Sequence, residues 1–159
     1  MESQTLLRKQ LISLLTETNA HVMFEQAIQD FPLQQIHAHV AGIPYSAWEL
    51  LEHIRIAQWD ILEFMRNANH TSPPWPQGYW PPEDAQPTIE SWHTTIDQIR
   101  RDLKAVQEIV LDEEIDLLSE LPHAPGYTYL REILLVADHN AYHIGQFITL
   151  RRALGNWPS

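Results

Sequence analysis

The chain has 159 residues, 44% of them hydrophobic and 19% charged, a composition expected of one globular domain spanning residues 1–159. Ten Lys and Arg against 21 Asp and Glu leave a net charge of −11, which repels phosphate backbones and anionic lipid heads, so neither nucleic acid nor membrane is expected as a partner. The absence of cysteine removes disulfides, thiolate zinc sites, iron–sulfur clusters and a protein thiol nucleophile.

The first 20 residues lack the apolar block of a signal peptide, and no run of about 18 apolar residues occurs, so a soluble cytoplasmic protein is expected. Four helix-period segments follow one another along the chain. The first runs from about Ser3 to Asp30 through Leu7, Leu11, Leu14, Val22 and Ile28, with a break expected near Asn19, and it stops before Pro32. The second opens on Ser46-Ala-Trp-Glu49, a capping-box pattern, and runs to about Arg66. Residues 68–87 contain six prolines and read as a long loop. Thr88 caps a third helix reaching about Val110. The acidic connection from Asp112 to Pro125 has room for one helical turn before Pro122. Thr128 starts the fourth helix, which ends near Leu154 with Gly155 as its stop. No useful strand alternation is present. The fold class that results is all-α, a four-helix bundle with long crossover connections.

Charge is uneven. Residues 83–120 carry 11 of the 21 acids and three bases, Arg100, Arg101 and Lys104, which reads as a solvated outer face. A basic partner protein is the minor alternative there.

The unusual figure is nine histidines. In the fourth helix His139-Asn-Ala-Tyr-His143 places two imidazoles on one face, four residues apart. Chance alone supplies about one such pair in every two chains of this composition, so the spacing needs support. His53 supplies it. On the second helix it lies at the margin of the apolar arc of Leu50, Ile54, Ala57, Ile61, Phe64 and Met65. An imidazole there needs a partner, and a carboxylate, a backbone carbonyl or a metal ion would each serve. Three neutral imidazoles with one position left open match catalytic zinc and also suit nickel or iron. Asn140 stands where a metalloprotease HExxH motif requires glutamate. A ferritin-like di-iron site fails too, because Glu120…His123 straddles Pro122.

Three strings carry a family resemblance. They are Pro44-Tyr-Ser-Ala-Trp-Glu-Leu-Leu-Glu-His53, Glu132-Ile-Leu-Leu-Val-Ala-Asp-His139-Asn-Ala-Tyr-His143-Ile-Gly145 and Leu150-Arg-Arg-Ala-Leu-Gly-Asn-Trp157. Over almost the whole chain they resemble the DinB-like superfamily, the damage-inducible, YfiT-related group of metal-dependent enzymes. The resemblance implies a bundle of unusual connectivity, a mononuclear divalent metal on His53, His139 and His143, and a homodimer. Nickel and zinc lead as the metal, with iron and manganese behind them. Relatives include thiol-dependent S-transferases and a mycothiol-dependent isomerase. The expected function is therefore a metal-dependent enzyme acting on a small molecule, as a thiol S-transferase or a hydrolase. The alternative is a non-enzymatic, stress-related module that binds a metal or ligand. A low-molecular-weight thiol would have to come from outside, since the chain has none of its own.

Asp60 lies two turns from His53, and Glu132 lies seven residues before His139, so each is a candidate to orient a ligating imidazole or act as general base. His21 is an ordinary half-buried histidine or a group facing the site. His37, His39 and His123 read as loop residues, while His70 and His93 carry no signal. Trp75, Tyr79 and Trp80 in the proline-rich loop either pin it to the bundle or wall a pocket. On the fourth helix Leu130, Leu134, Ala137, Ala141, Ile144 and Ile148 form a second apolar seam, which a two-fold partner could cover.

Overall fold

Helix α1 (Glu2–Thr16) ends where Asn19 folds back, its Nδ2 donating to the carbonyls of Ser13 and Glu17. The break expected near Asn19 thus spans residues 17–23, and a five-residue α2 (Phe24–Ile28) follows it. Three long helices come next, α3 (Ala47–Arg66), α4 (Ile89–Leu111) and α5 (Tyr129–Ala153). This is a computed structural model, and it describes residues 2–158. Ser46 and Glu49 form the reciprocal capping box at the start of α3, and Thr88 and Thr128 cap α4 and α5. Gly155 at φ 72° closes α5 in a Schellman turn, in which Asn156 N–H bonds the Arg151 carbonyl and Gly155 N–H that of Arg152.

One element differs from the sequence expectation. Instead of a helical turn before Pro122, the α4–α5 connection makes a small antiparallel hairpin, β1 (Glu120–Leu121) and β2 (Ala124–Thr128). Its strands are too short for period-2 alternation, and the tight turn at Pro122-His123 excludes a helix. Leu121 is nonetheless buried and pins the hairpin to the bundle.

Two apolar clusters reveal the direction of each helix. One contains Leu50 to Ile54 of α3, Trp92 to Ile99 of α4 and Ile144 to Leu150 of α5. The other contains Ile61 to Met65 of α3, Val106 and Val110 of α4, and Ile133 and Val136 of α5. Helices α3 and α4 pass from the first cluster to the second, whereas α5 runs the opposite way. Parallel α3 and α4 require the chain to return the length of the bundle between them, and the proline-rich loop 67–88 makes that return. The loop therefore travels alongside α3. Between the clusters lies a polar layer, where Asn140 Nδ2 donates to Gln58 Oε1 at 2.7 Å and Gln58 Nε2 donates to the Ile99 carbonyl at 2.7 Å.

Among the described residues, no helix is long and apolar enough to cross a membrane. The second seam on α5 is covered unevenly. Ile144 is buried, Leu130, Ala137 and Ile148 pack partly on their own core, and Leu134 is 43% exposed.

Arg151, only 1% exposed, ties α5 to the segment after α2. Its guanidinium donates to the carbonyls of Ala27 (2.7 Å), Gln29 (2.8 Å) and Asn156 (2.9 Å) and to Asn156 Oδ1 (3.0 Å). Replacing it with Met removes the donors and leaves the buried Ala27 carbonyl and three part-buried acceptors unpaired, each worth about 1 kcal/mol. Arg151→Met should therefore lower stability by about 3 kcal/mol, read as a fall in the urea midpoint at unchanged slope. An unaltered midpoint would contradict this account.

Candidate metal centre

His53 comes from the middle of α3, and His139 and His143 come from one face of α5, which packs against it. The Nε2 atoms of His53 and His143 stand 3.1 Å apart, and those of His139 and His53 stand 3.2 Å apart. Among the described residues, this is the one group of three or more His, Cys, Asp or Glu whose ligand atoms gather within 4.8 Å of one another. Two nitrogens bound tetrahedrally to one zinc ion, each about 2.05 Å from it, lie about 3.3 Å apart. The observed spacings match that arrangement closely.

The hydrogen bonds behind the rings fix their protons. His53 Nδ1 donates to the Tyr79 carbonyl at 2.8 Å, and His143 Nδ1 to Gln146 Oε1 at 2.7 Å. A carbonyl can only accept, so in a neutral ring the proton sits on Nδ1 and Nε2 presents its lone pair. Two lone pairs thus face each other across 3.1 Å, a repulsive contact unless a cation or proton lies between them. Protonation is opposed by the surroundings. His53 is 4% and His143 8% exposed, and burial pulls both below the ordinary imidazole value, His143 to about 4, with the neighbouring His53 adding to its shift. His139 falls to about 3 for the same reasons, burial first and then His143 and His53. Three imidazoles gathered in this way, two of them with their lone pairs turned inward, could hold a metal ion.

Neither candidate acid touches a triad ring. Asp60 accepts from His70 Nε2 at 2.6 Å and from the Tyr79 hydroxyl at 2.5 Å, so it meets Tyr79 at the ring end while His53 meets it at the backbone. Glu132 is buried and pairs with the Arg131 guanidinium. His139 Nδ1 is buried without a hydrogen-bond partner. Trp80 stacks on His53 with ring centroids 4.3 Å apart and planes 11° from parallel, and Tyr45 stacks on Trp80 in turn. The loop therefore both packs on the bundle and walls the triad, whereas Trp75 is 75% exposed.

His21 is exposed and lies beside an apolar cavity of about 360 Å³. His37 and His39 are exposed loop residues, and His123 donates to the Phe64 carbonyl. His70, which carried no signal in the sequence, is held against Asp60 and the edge of Trp59. Only the folded path of the loop could bring it there.

The family model described as the DinB superfamily matches residues 16–147, a span that contains all three histidines and the loop that walls them. No curated protein and no solved structure matches the chain.

The shifted imidazoles predict a pH signature for the metal-free protein. In the unfolded chain these rings titrate near 6.5, and in the folded chain they titrate lower. Below that value the unfolded state takes up protons that the folded triad refuses. Stability is thus complete above about pH 6.5 and declines as the pH falls toward 4. The melting temperature should drop across this window, and the drop should be smaller in His139→Gln, which has one shifted ring fewer. Parallel curves for the two proteins would contradict it.

Proposed function

The chain belongs to the DinB superfamily, and from that membership and its convergent imidazoles we propose a metal-dependent enzyme acting on a small molecule. The observation that carries the proposal is the pair of Nδ1 hydrogen bonds that turn the Nε2 lone pairs of His53 and His143 toward each other. His53, His139 and His143 would hold one divalent ion, with nickel or zinc favoured by a set of nitrogen donors. When bound, such an ion lowers the pKa of a thiol or water placed against it and so supplies a nucleophile at neutral pH.

The chain's own groups favour the thiol. Among the described residues, no carboxylate hydrogen-bonds a triad imidazole, so the nucleophile in this reading is the metal-bound group itself. The thiol comes from the substrate or a cosubstrate, since the protein has no cysteine. Trp80, stacked on His53 and backed by Tyr45, forms an aromatic wall of the triad, and the electrophilic partner would sit beside it. In the transfer the sulfur bonds to the electrophilic carbon, the leaving group departs with its electron pair, and the thiol proton passes to solvent.

We further propose that two copies pair through α1 and α5. Leu14 and Leu134, each 43% exposed, flank the 360 Å³ apolar cavity between these helices. A concentration-independent monomer mass in sedimentation would end that idea.

Protein purified without a polyhistidine tag should carry one equivalent of a divalent metal per chain, and His143→Ala should lose it. Loaded with zinc or nickel, it should conjugate a low-molecular-weight thiol to haloaromatics or epoxides at a rate that vanishes in His53→Ala. A metal-dependent rate on esters without thiol would identify a hydrolase. Tight metal and ligand binding with no turnover on either class would identify a binding module. Retention of metal by the triple alanine variant would overturn the site itself.

A further inference from the structure

The crossover loop does more than pass the triad. Tyr79 is gripped at both ends by α3: its carbonyl accepts from His53 Nδ1 at 2.8 Å, and its hydroxyl donates to Asp60 Oδ2 at 2.5 Å. His53 and Asp60 lie seven residues apart, two helical turns or about 10.5 Å, so one tyrosine bridges them along the same side of the helix. The other oxygen of Asp60 accepts from His70 Nε2 at 2.6 Å, with both side chains at most 10% exposed. His70 belongs to the same loop, nine residues before Tyr79. One carboxylate therefore fastens the loop at two points.

Local packing makes the tyrosine stiff. A Cβ on Gly78 would stand 2.7 Å from Pro73 Cβ and 2.8 Å from Pro74 Cδ, contacts that real side chains do not make. Gly78 N–H also bonds the Pro74 carbonyl at 2.7 Å. The turn carrying Tyr79 is thus closed on itself, and the carbonyl and the ring of the same residue are both held against α3. Trp80, the next residue, lies flat on His53.

We propose that Asp60 and Tyr79 are positioning residues for His53: by holding the Tyr79 ring, Asp60 fixes the carbonyl that keeps the His53 proton on Nδ1 and its Nε2 lone pair facing His139 and His143. Asp60 thus acts on the imidazole through a neighbouring residue, without touching it. The proposal rests on the metal reading for its consequence, since a histidine with its proton on Nε2 cannot ligate through that atom. The tautomer itself, however, is a property of the metal-free chain and can be read without any metal.

The test uses the full chain and two conservative variants. Tyr79→Phe deletes one hydroxyl and keeps both ring and carbonyl, and Asp60→Asn keeps the shape of the carboxylate. Imidazole ¹⁵N shifts, with His53 assigned by the loss of its signals in His53→Gln, report the tautomer in metal-free protein. Wild type should show His53 protonated at Nδ1, and each variant a mixture of the two tautomers. Zinc affinity, measured by competition with a chelator, should fall about tenfold in each variant, the lower end of what loss of an outer partner costs a metal site. The double variant should be no worse than the weaker single, because both break one link. A lowered melting temperature with unchanged His53 shifts and unchanged zinc affinity would overturn the proposal and leave Asp60 as a loop fastener only. If Asp60→Asn fails to fold, Tyr79→Phe alone decides. If wild type binds no zinc, the metal reading fails, while the His53 shifts still decide whether the tether holds.

Discussion

Two imidazole lone pairs, those of His53 and His143, face each other at 3.1 Å in a setting that resists protonation. Left alone, this contact is unfavourable, and the rest of the local structure is arranged to impose it. The Tyr79 carbonyl and Gln146 Oε1 accept hydrogen bonds from the two Nδ1–H groups, which keeps the ring protons on Nδ1 and leaves the Nε2 atoms none to share. Burial between α3 and α5 then prevents the simplest relief, which would be to protonate one ring. A divalent cation placed between the nitrogens would be met by these lone pairs, so the same geometry suits a metal ion.

Topology explains why the outer partners lie where they do. Because α3 and α4 run in the same direction, the chain returns along α3 between Asn67 and Thr88. That return path brings Tyr79 and Trp80 to His53 and His70 to Asp60. An antiparallel α3–α4 hairpin would need only a short turn and would leave His53 without a carbonyl at its back. The six prolines of residues 68–87 suit this role, because they forbid an α-helix along the return. On α5, by contrast, the support is local: Gln146 lies one turn beyond His143 and serves it from the same helix.

How far the sequence foretold this depended on the range of each interaction. Ser46, Thr88 and Thr128 marked helix starts correctly because capping is settled within four residues. The inward placement of His53 and the shared face of His139 and His143 were legible because helical period is local too. His70 was silent, since its partner Asp60 is ten residues away across a loop whose course no periodicity encodes. Gln58 was missed for a related reason. It sits at 0% exposure in an apolar arc and is tolerated only because Asn140 and the Ile99 carbonyl, from two other helices, satisfy its amide. The hairpin escaped because two strands of two and five residues leave no alternation to read.

The charge of the site has a consequence for what it can hold. The protein as a whole is strongly acidic, yet the three ring nitrogens are neutral. Among the described residues, Asp60 is the carboxylate linked most directly to them, through Tyr79. A dication held by neutral ligands keeps its full charge, unlike one bound by carboxylates that cancel part of it. In a buried setting such a charge would be poorly screened, so an ion held by His53, His139 and His143 would favour anionic ligands and ease the deprotonation of a thiol more than a carboxylate-rich centre would. As a direct partner of His53, Asp60 would place a negative charge against the ligand set, whereas through the Tyr79 backbone it orients the ring and keeps its own charge two bonded contacts away.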